Sequence, residues 1–237
     1  MASLSDIAPL RSWTEDVVTM AQADAAATLR GVDLSNLTAA RPGLERAVGE
    51  VVDGYGFGLS ALAADWYADA RYAGPAAGRF VPTARTWLTN EQLAALVGWS
   101  LGPLFDVEPD MAAALARLDG GVQRTVANQA RLTIVDNTRR DPARASYYRG
   151  ASSNCCAFCA MLTTRIYARR ASADFHAHDH DRCFPVPIWP GESFEQPPYY
   201  VDFQDEYDQA AAAARAAGEA VTAKSILARM RRLSGRK

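Results

Sequence analysis

All four cysteines and all three histidines of this chain lie between Cys155 and Cys183. Within that segment, Cys156-Ala-Phe-Cys159 has the C-x-x-C spacing, which allows two sulfur atoms to bind one metal ion. Chance does not readily gather every soft, metal-capable side chain into so short a stretch. The clustering therefore predicts a metal centre that organises this part of the chain.

The second half of the predicted centre comes from His176, His178, His180 and Cys183. The three histidines alternate with other residues, so in an extended segment they project to one side. His178 with Cys183, or His180 with Cys183, would complete a site of three cysteines and one histidine. Four protein ligands indicate structural Zn²⁺, because a catalytic zinc keeps a position for water. Unligated buried thiols and a disulfide are the alternatives, and the spare histidines leave a catalytic zinc open.

Composition and charge exclude little beyond a membrane protein. Hydrophobic residues make up 49% and charged residues 22% of the chain, as in ordinary globular proteins, and the net charge is −2. No run approaches the roughly 18 apolar residues that a membrane span requires. The first residues lack the basic and apolar regions of a signal peptide. We expect a protein kept in a reducing cytosol, where disulfides are rare.

Hydrophobic periodicity predicts helices along most of the chain. Apolar residues from Leu44 to Trp66 recur every three or four positions, although Gly54, Gly56 and Gly58 predict a kink or break in that helix. Thr89-Asn-Glu-Gln92 has the spacing of a capping box and predicts a helix that Pro103 closes. Further helices are expected on either side of Gly120-Gly121, and Asp141-Pro142 marks a boundary.

The character of the sequence changes near residue 150. Residues 150–200 hold the cysteines, the histidines and five prolines, which indicates a compact irregular module with a strand at 186–189. Helical patterns return after residue 200. The expected fold class is mainly α (α+β), divided into a helical N-terminal domain (1–149), a Cys/His zinc module (150–200) and C-terminal helices with a basic tail (201–237).

Several blocks of this sequence resemble the MuF-like minor capsid proteins of tailed phages of actinobacteria. In order and spacing the similarity runs from about Leu44 to the C-terminal helix, and it is most specific over residues 155–189. The blocks that carry it are Ala63-Ala-Asp-Trp-Tyr-Ala-Asp-Ala-Arg71, Cys156-Ala-Phe-Cys-Ala-Met-Leu162, Tyr167, Phe175-His-Ala-His178, Cys183 and Pro185-Val-Pro-Ile-Trp189.

The resemblance implies a metal set of Cys156, Cys159, His178 and Cys183. Such proteins commonly carry two cysteines after the histidine, and here Asp181 stands where the first of them would be. His180 is an addition that could replace the missing sulfur, so it competes as the fourth ligand.

The resemblance also implies a head-morphogenesis protein of the virion, assembled in the host cytoplasm. Its expected partners are the portal protein and the major capsid or scaffold protein. Many relatives carry the label of a capsid maturation protease, so proteolysis of scaffold or coat protein is the alternative function. A zinc-flanked nuclease is a more distant one. No protease site can be built from these residues, which favours a structural role.

Charge is segregated along the chain, with a basic stretch before residue 183, an acidic one over 192–208 and six basic residues from Lys224 to Lys237. Such segregation suits docking onto oppositely charged surfaces. The basic tail is a candidate for DNA contact, although cations at a helix C-terminus also simply suit its dipole.

Overall fold

The computed structural model describes residues 1–85, 88–167, 175 and 177–236. The predictions made for His176 therefore lie outside the described residues. The expectation of a mainly α chain is confirmed, because this part of the chain contains seven α-helices, two short 3-10 helices and three short strands. The helices are α1 (Ala8–Arg30), α2 (Leu37–Ala73), α3 (Asn90–Leu101), α4 (Met111–Arg140), α5 (Ala157–Thr163), α6 (Tyr199–Ala216) and α7 (Ala223–Ser234).

The long helices α1, α2 and α4 pack against one another and form the central bundle. The break predicted at Gly54–Gly58 is wrong, since α2 runs unbroken through these glycines. Gly56 is buried against α4, where an added Cβ would lie 2.8 Å from the side chain of Gln129. Close packing of two helices, rather than a chain break, accounts for the missing side chain at this position.

The two helices expected around Gly120-Gly121 are a single helix, α4, so that prediction is also wrong. A Cβ on Gly121 would lie 2.2 Å from Cδ1 of Leu96 in α3, and glycine is what lets the two helices approach. By contrast, the predicted capping box is confirmed, because Thr89 Oγ1 accepts from the backbone of Gln92 and the Gln92 side chain accepts in return.

A small antiparallel sheet joins the bundle to the Cys/His segment. Its order is β2 (Ile166–Tyr167), β1 (Ser146–Gly150), β3 (Phe184–Ile188). The strand predicted at 186–189 is thus present, shifted toward Phe184. Pro185 and Pro187 stand two positions apart in β3, so both have the same orientation relative to β1. Because β3 is an edge strand, prolines at these positions need not cost hydrogen bonds between β3 and β1.

Asp141, at the end of α4, ties the bundle to the end of β3. Its Oδ2 accepts hydrogen bonds from Arg71 Nε at 2.9 Å, Trp189 Nε1 at 2.9 Å and Tyr67 Oη at 3.2 Å. Asp141 is fully buried, and Arg71 also donates to the carbonyl groups of residues 77 and 78. Two blocks of the resemblance, 63–71 and 185–189, therefore meet at one buried carboxylate.

The C-terminal helices predicted after residue 200 are confirmed as α6 and α7, which pack on each other and on α5. Gly235 ends α7 in the left-handed conformation, with a φ of 66°. Next to it, Arg236 stacks on the ring of Phe203 and donates to the carbonyl of Ser153 at 2.7 Å. The end of the chain is thereby fastened to the loop before Cys156.

Buried apolar residues form one large cluster that extends from Ala2 to Met230 and a smaller one around the Cys/His segment. The smaller cluster contains Val135, Tyr147, Phe175 and two of the cysteines. The predicted division at residues 149/150 and 200/201 stays a prediction. Strand β1 spans the first of these positions.

Candidate metal centre

Two thiols of the candidate centre lie at the start of α5. Cys156 is the N-cap residue of this helix, and its Sγ lies 3.4 Å from the backbone nitrogen of Cys159, which donates to it. Cys159 follows after one helical turn and is buried. The C-x-x-C segment thus forms a helix-capping turn in which both sulfur atoms point to the same side.

The other donors come from the segment that enters β3. His178 Nε2 lies 3.0 Å from Cys156 Sγ, and His178 Nδ1 lies 2.7 Å from the carbonyl oxygen of Asp179, which fixes the ring. Cys183 is buried and directly precedes β3. Because Phe184 pairs with Gly150 in the sheet, the segment that carries Cys183 is held beside the loop that leads to Cys156.

Five side chains form two overlapping donor groups that share Cys159. Cys156, Cys159 and His178 make one group, Cys159, Asp181 and Cys183 the other, and within each group the donor atoms lie within 4.8 Å of one another. Sulfur atoms around a tetrahedral zinc are about 3.8 Å apart, given Zn–S distances of about 2.3 Å. Among the described residues, each of the two groups is therefore close enough to hold a metal ion.

His180 lies apart from both donor groups. It has a φ of 61°, and its backbone nitrogen donates to the side chain of Gln123 in α4 at 2.7 Å. Its ring lies next to Gly120, where an added Cβ would be 3.3 Å from Nε2. The structure therefore brings together Cys156, Cys159, His178 and Cys183 but not His180, while the ligand roles of all five stay predictions.

Three charged residues are buried beside the thiols. Asp181, Arg131 and Arg149 are 3%, 1% and 2% exposed. Asp181 Oδ1 accepts from the backbone nitrogen of Cys183 at 2.7 Å, and Oδ2 lies 3.4 Å from Cys159 Sγ. Neither arginine was among the residues predicted for the site. A signal was present in α4, where Arg131 falls one helical turn after Ala127 and before Val135, on the buried side.

The thiols of the C-x-x-C turn differ in acidity. The pKa of Cys156 is lowered to about 5, chiefly by hydrogen bonds from Cys159 and further by His178. The pKa of Cys159 is raised, because its thiol donates to Cys156 and lies buried near Cys183 and Asp181. Burial also raises the pKa of neighbouring Cys155, to about 12. Within the C-x-x-C turn, Cys156 is therefore the thiol with the lower pKa.

Opposed effects set the pKa of the other groups. Burial acts to lower the pKa of His178, but its hydrogen bond to the Asp179 carbonyl and the sulfur of Cys156 outweigh burial and raise it. For Asp181, burial acts to raise the pKa, yet Arg131 and the hydrogen bonds from Cys183 hold it below its ordinary value. Asp181 is consequently an anion within a buried environment.

A cleft of about 440 Å³ opens onto the donors. Its wall includes Arg11, Arg182 and Arg236 as well as Ser152. Ser152 Oγ hydrogen-bonds Asn154 at 2.8 Å, and in the part of the chain that the structure describes neither His178 nor His180 hydrogen-bonds a serine. These residues therefore provide no serine–histidine pair that would support the protease alternative.

Across residues 1–85, 88–167 and 177–236, no helix combines the length and apolarity needed to span a bilayer. A model of the VG15 protein family, a family of phage-encoded proteins, matches residues 1–210. The match includes the helical bundle, the sheet and every candidate ligand, and it ends within α6. Neither a curated protein nor a solved structure matches the chain.

Proposed function

Since the chain belongs to the VG15 protein family, we propose that it is a structural minor capsid protein of a tailed phage that acts in head morphogenesis and is stabilised by one structural zinc ion. One observation carries this proposal. Four soft donors from residues 156–159 and 178–183 lie in two groups that share Cys159. The resemblance to MuF-like proteins supplies the assembly role and the location in the virion.

The proposed ligands are Cys156, Cys159, His178 and Cys183. Thiolate and imidazole together favour zinc over hard cations such as Mg²⁺. Asp181 is less suited to bind the ion, because its oxygens are already held by the Cys183 backbone and by Arg149. Four protein ligands leave no position for water, and metal binding of this kind can contribute about 10 kcal/mol or more to folding.

The proposed partners are the portal protein and the major capsid or scaffold protein. An exposed aromatic surface supports docking near the α3–α4 connection, where Trp99 stacks under Arg117 and Phe105 and Val107 are exposed. Tyrosine, tryptophan and arginine are frequent anchors in protein interfaces. This surface lies on the helical bundle. In this proposal the bundle binds the partners and the zinc module stabilises the fold.

In the basic tail, the residues available for DNA contact lie on the exposed side of α7. Lys224, Arg231 and Arg232 are exposed there. Arg229 and Arg236 instead pair with Glu219 and Glu206 within the chain. The tail thus keeps a smaller basic surface than its sequence suggests.

The metal proposal is tested by elemental zinc content per chain after purification without chelator. We expect about one zinc in the wild type and in Cys155→Ser, and loss of zinc in Cys159→Ser and Cys183→Ser. Cys155 is the matched control because it adjoins the donors but belongs to neither group. Equal zinc in all four proteins, or none in the wild type, would contradict the ligand set.

The virion role is tested with a phage that lacks this gene and is complemented in trans. We expect the protein in purified heads by mass spectrometry, and aberrant or empty heads without complementation. Normal infectious particles that lack the protein would overturn the role. In the same preparations, shortened coat or scaffold protein that depends on this chain would support the maturation-protease alternative instead.

A further inference from the structure

Helices α1 and α2 lie antiparallel and share one outer surface. Tyr55 Oη of α2 donates a hydrogen bond to Asp24 Oδ2 of α1 at 2.7 Å, and Trp66 Nε1 donates to the carbonyl of Asp6 at 3.1 Å. An open groove of about 610 Å³ lies between the two helices around Asp24. Its walls include Thr28 of α1 and Glu50 and Gly54 of α2.

The side of α1 that borders this groove carries large apolar residues. Trp13, Val17 and Met20 precede Asp24 at successive intervals of four, three and four residues, which places all of them on one side of the helix. Trp13 is 42% and Met20 48% exposed, and Val17 is partly buried against the core. The groove therefore continues toward the start of α1 as an apolar surface.

The facing side of α2 leaves open space beside these residues. Gly58 and Leu62 follow Tyr55 at intervals of three and four residues, again on one side of the helix. Leu62 is 37% exposed, and an added Cβ on Gly54 or Gly58 would have no atom within 4 Å. A contiguous exposed apolar surface of this kind is typical of an interaction site. We call it the α1–α2 face, formed by Trp13, Val17, Met20, Gly58 and Leu62.

The charge around the α1–α2 face has one sign. Residues 12–29 and 47–70 contain seven acidic residues and no lysine or arginine. Asp16, Glu50 and Asp65 are exposed at the edges of the face, and in the part of the chain that the structure describes none of them forms an ion pair. Acidic edges repel the phosphates of nucleic acids and of anionic lipids. They attract a basic partner.

We propose that the α1–α2 face binds a basic amphipathic helix of a partner protein. The apolar side of that helix packs on the exposed apolar side chains of the face, and its lysines or arginines lie beside Glu50 and Asp65. The seam between two packed helices accepts a third helix whose apolar residues recur every three or four positions. Cations along the edge of the bound helix match the acidic edges of the face, which favours this partner over an acidic one.

The α7 helix of a second copy does not fit this description, although it is basic. Its own apolar residues Ile226 and Met230 are buried within the chain. The occupant is therefore a different protein. The α1–α2 face is also separate from the α3–α4 surface proposed above for docking, and its binding does not depend on bound zinc.

The test uses a fluorescently labelled helical peptide of about 18 residues, with leucines on one side and lysines on the other, and measures its binding by fluorescence anisotropy. We expect binding to the wild type that weakens as salt is added. Glu50→Lys combined with Asp65→Lys should weaken binding about tenfold or more, because each change reverses a charge at the edge of the face. Trp13→Ser combined with Met20→Ser should also weaken binding, although the acidic edges are kept.

Asp202→Lys combined with Asp205→Lys is the matched control, because it makes the same change in charge on the exposed side of α6. Its binding should stay within about twofold of the wild type, and circular dichroism establishes that each variant is folded. Equal weakening in the two charge-reversed proteins would overturn the proposal, since overall charge would then explain binding. No binding, or equal binding of a peptide with the same residues in scrambled order, would overturn it as well.

Sedimentation of the protein alone distinguishes a second copy from a different partner. We expect no self-association through the α1–α2 face. Dimers that form in the wild type and are lost in Glu50→Lys combined with Asp65→Lys would assign the face to a second copy and overturn the proposed partner.

Discussion

Asp141 shows how much one buried side chain can hold together. Its carboxylate accepts hydrogen bonds from Arg71 and Tyr67 of α2 and from Trp189, which directly follows β3. The pKa of Asp141 lies below its ordinary value, because the hydrogen bonds from Trp189 and Arg71 outweigh the opposing effect of burial. A carboxylate of lowered pKa stabilises the fold above the pKa it has when unfolded, and this stabilisation is lost as the pH falls through the folded value.

We expect Asp141→Asn to lower the free energy of unfolding at pH 7 by about 3 kcal/mol, since it leaves a buried guanidinium without its counter-charge. The difference from the wild type should be constant above about pH 5 and shrink below about pH 4, because the carboxyl of the unfolded wild-type chain then takes up a proton. It should vanish once the pH has fallen through the lowered pKa of the folded carboxyl. Urea unfolding across this range measures it.

Glu45→Gln is the control for Asp141→Asn. Glu45 pairs with Arg41 one turn away on an exposed face of α2, and such pairs contribute about 0.3–0.5 kcal/mol. A loss for Asp141→Asn no greater than that of Glu45→Gln would refute the central role of Asp141.

At the residue scale, the number and spacing of the cysteines and histidines in the sequence predict which of them lie close together. The four donors that the structure brings together could be proposed from their clustering, because C-x-x-C and the nearby His and Cys are local features. Arg131, Arg149 and Asp141 could not, because their partners Cys183, Asp181 and Arg71 lie more than 30 residues away in the sequence.

At the scale of helices, caps were predictable and glycines were not. The capping box at Thr89 depends on residues within one turn. The glycines of α2 and α4 read as breaks, yet Gly56 and Gly121 are places where a second helix comes close. Only the tertiary structure distinguishes a glycine that ends a helix from one that admits a neighbour.

Gly121→Ala should lower the free energy of unfolding by about 1–3 kcal/mol, because its Cβ would overlap the side chain of Leu96. Gly54→Ala is the control in the same kind of helix. Nothing lies within 4 Å of a Cβ at Gly54, so this change should raise stability by up to about 1 kcal/mol. Thermal unfolding of both variants measures the difference, and equal shifts would contradict the close approach of α3 and α4.

At the scale of the whole molecule, the small cluster around the cysteines lies beside the large core rather than within it. The large cluster draws mostly on the long helices, whereas the smaller one combines Val135 of α4 with residues of β1, α5 and the segment before β3. Under the zinc proposal, the ion replaces a core in that part of the chain. This is the part whose stability should depend on metal.

Removal of zinc by a strong chelator should therefore act locally. Backbone amides of residues 150–167 and 177–189 should lose protection from hydrogen exchange by orders of magnitude, while those of α1, α2 and α4 keep most of theirs. Mass-spectrometric exchange of the wild type with and without chelator makes the comparison. Uniform loss along the chain would contradict a local role for the metal, and no loss would contradict the metal itself.

The pairing of Ala2 with Phe194 has a consequence for synthesis. Ala2 donates to the carbonyl of Ser193 and accepts from Glu195, so the first residues dock on a segment made much later. At translation rates of about 5–20 residues per second, roughly 10–40 s pass between them. Until residues 193–195 have been made, the segment around Ala2 lacks the strand it pairs with, although helices α1 to α5 and all three strands of the sheet precede those residues in synthesis.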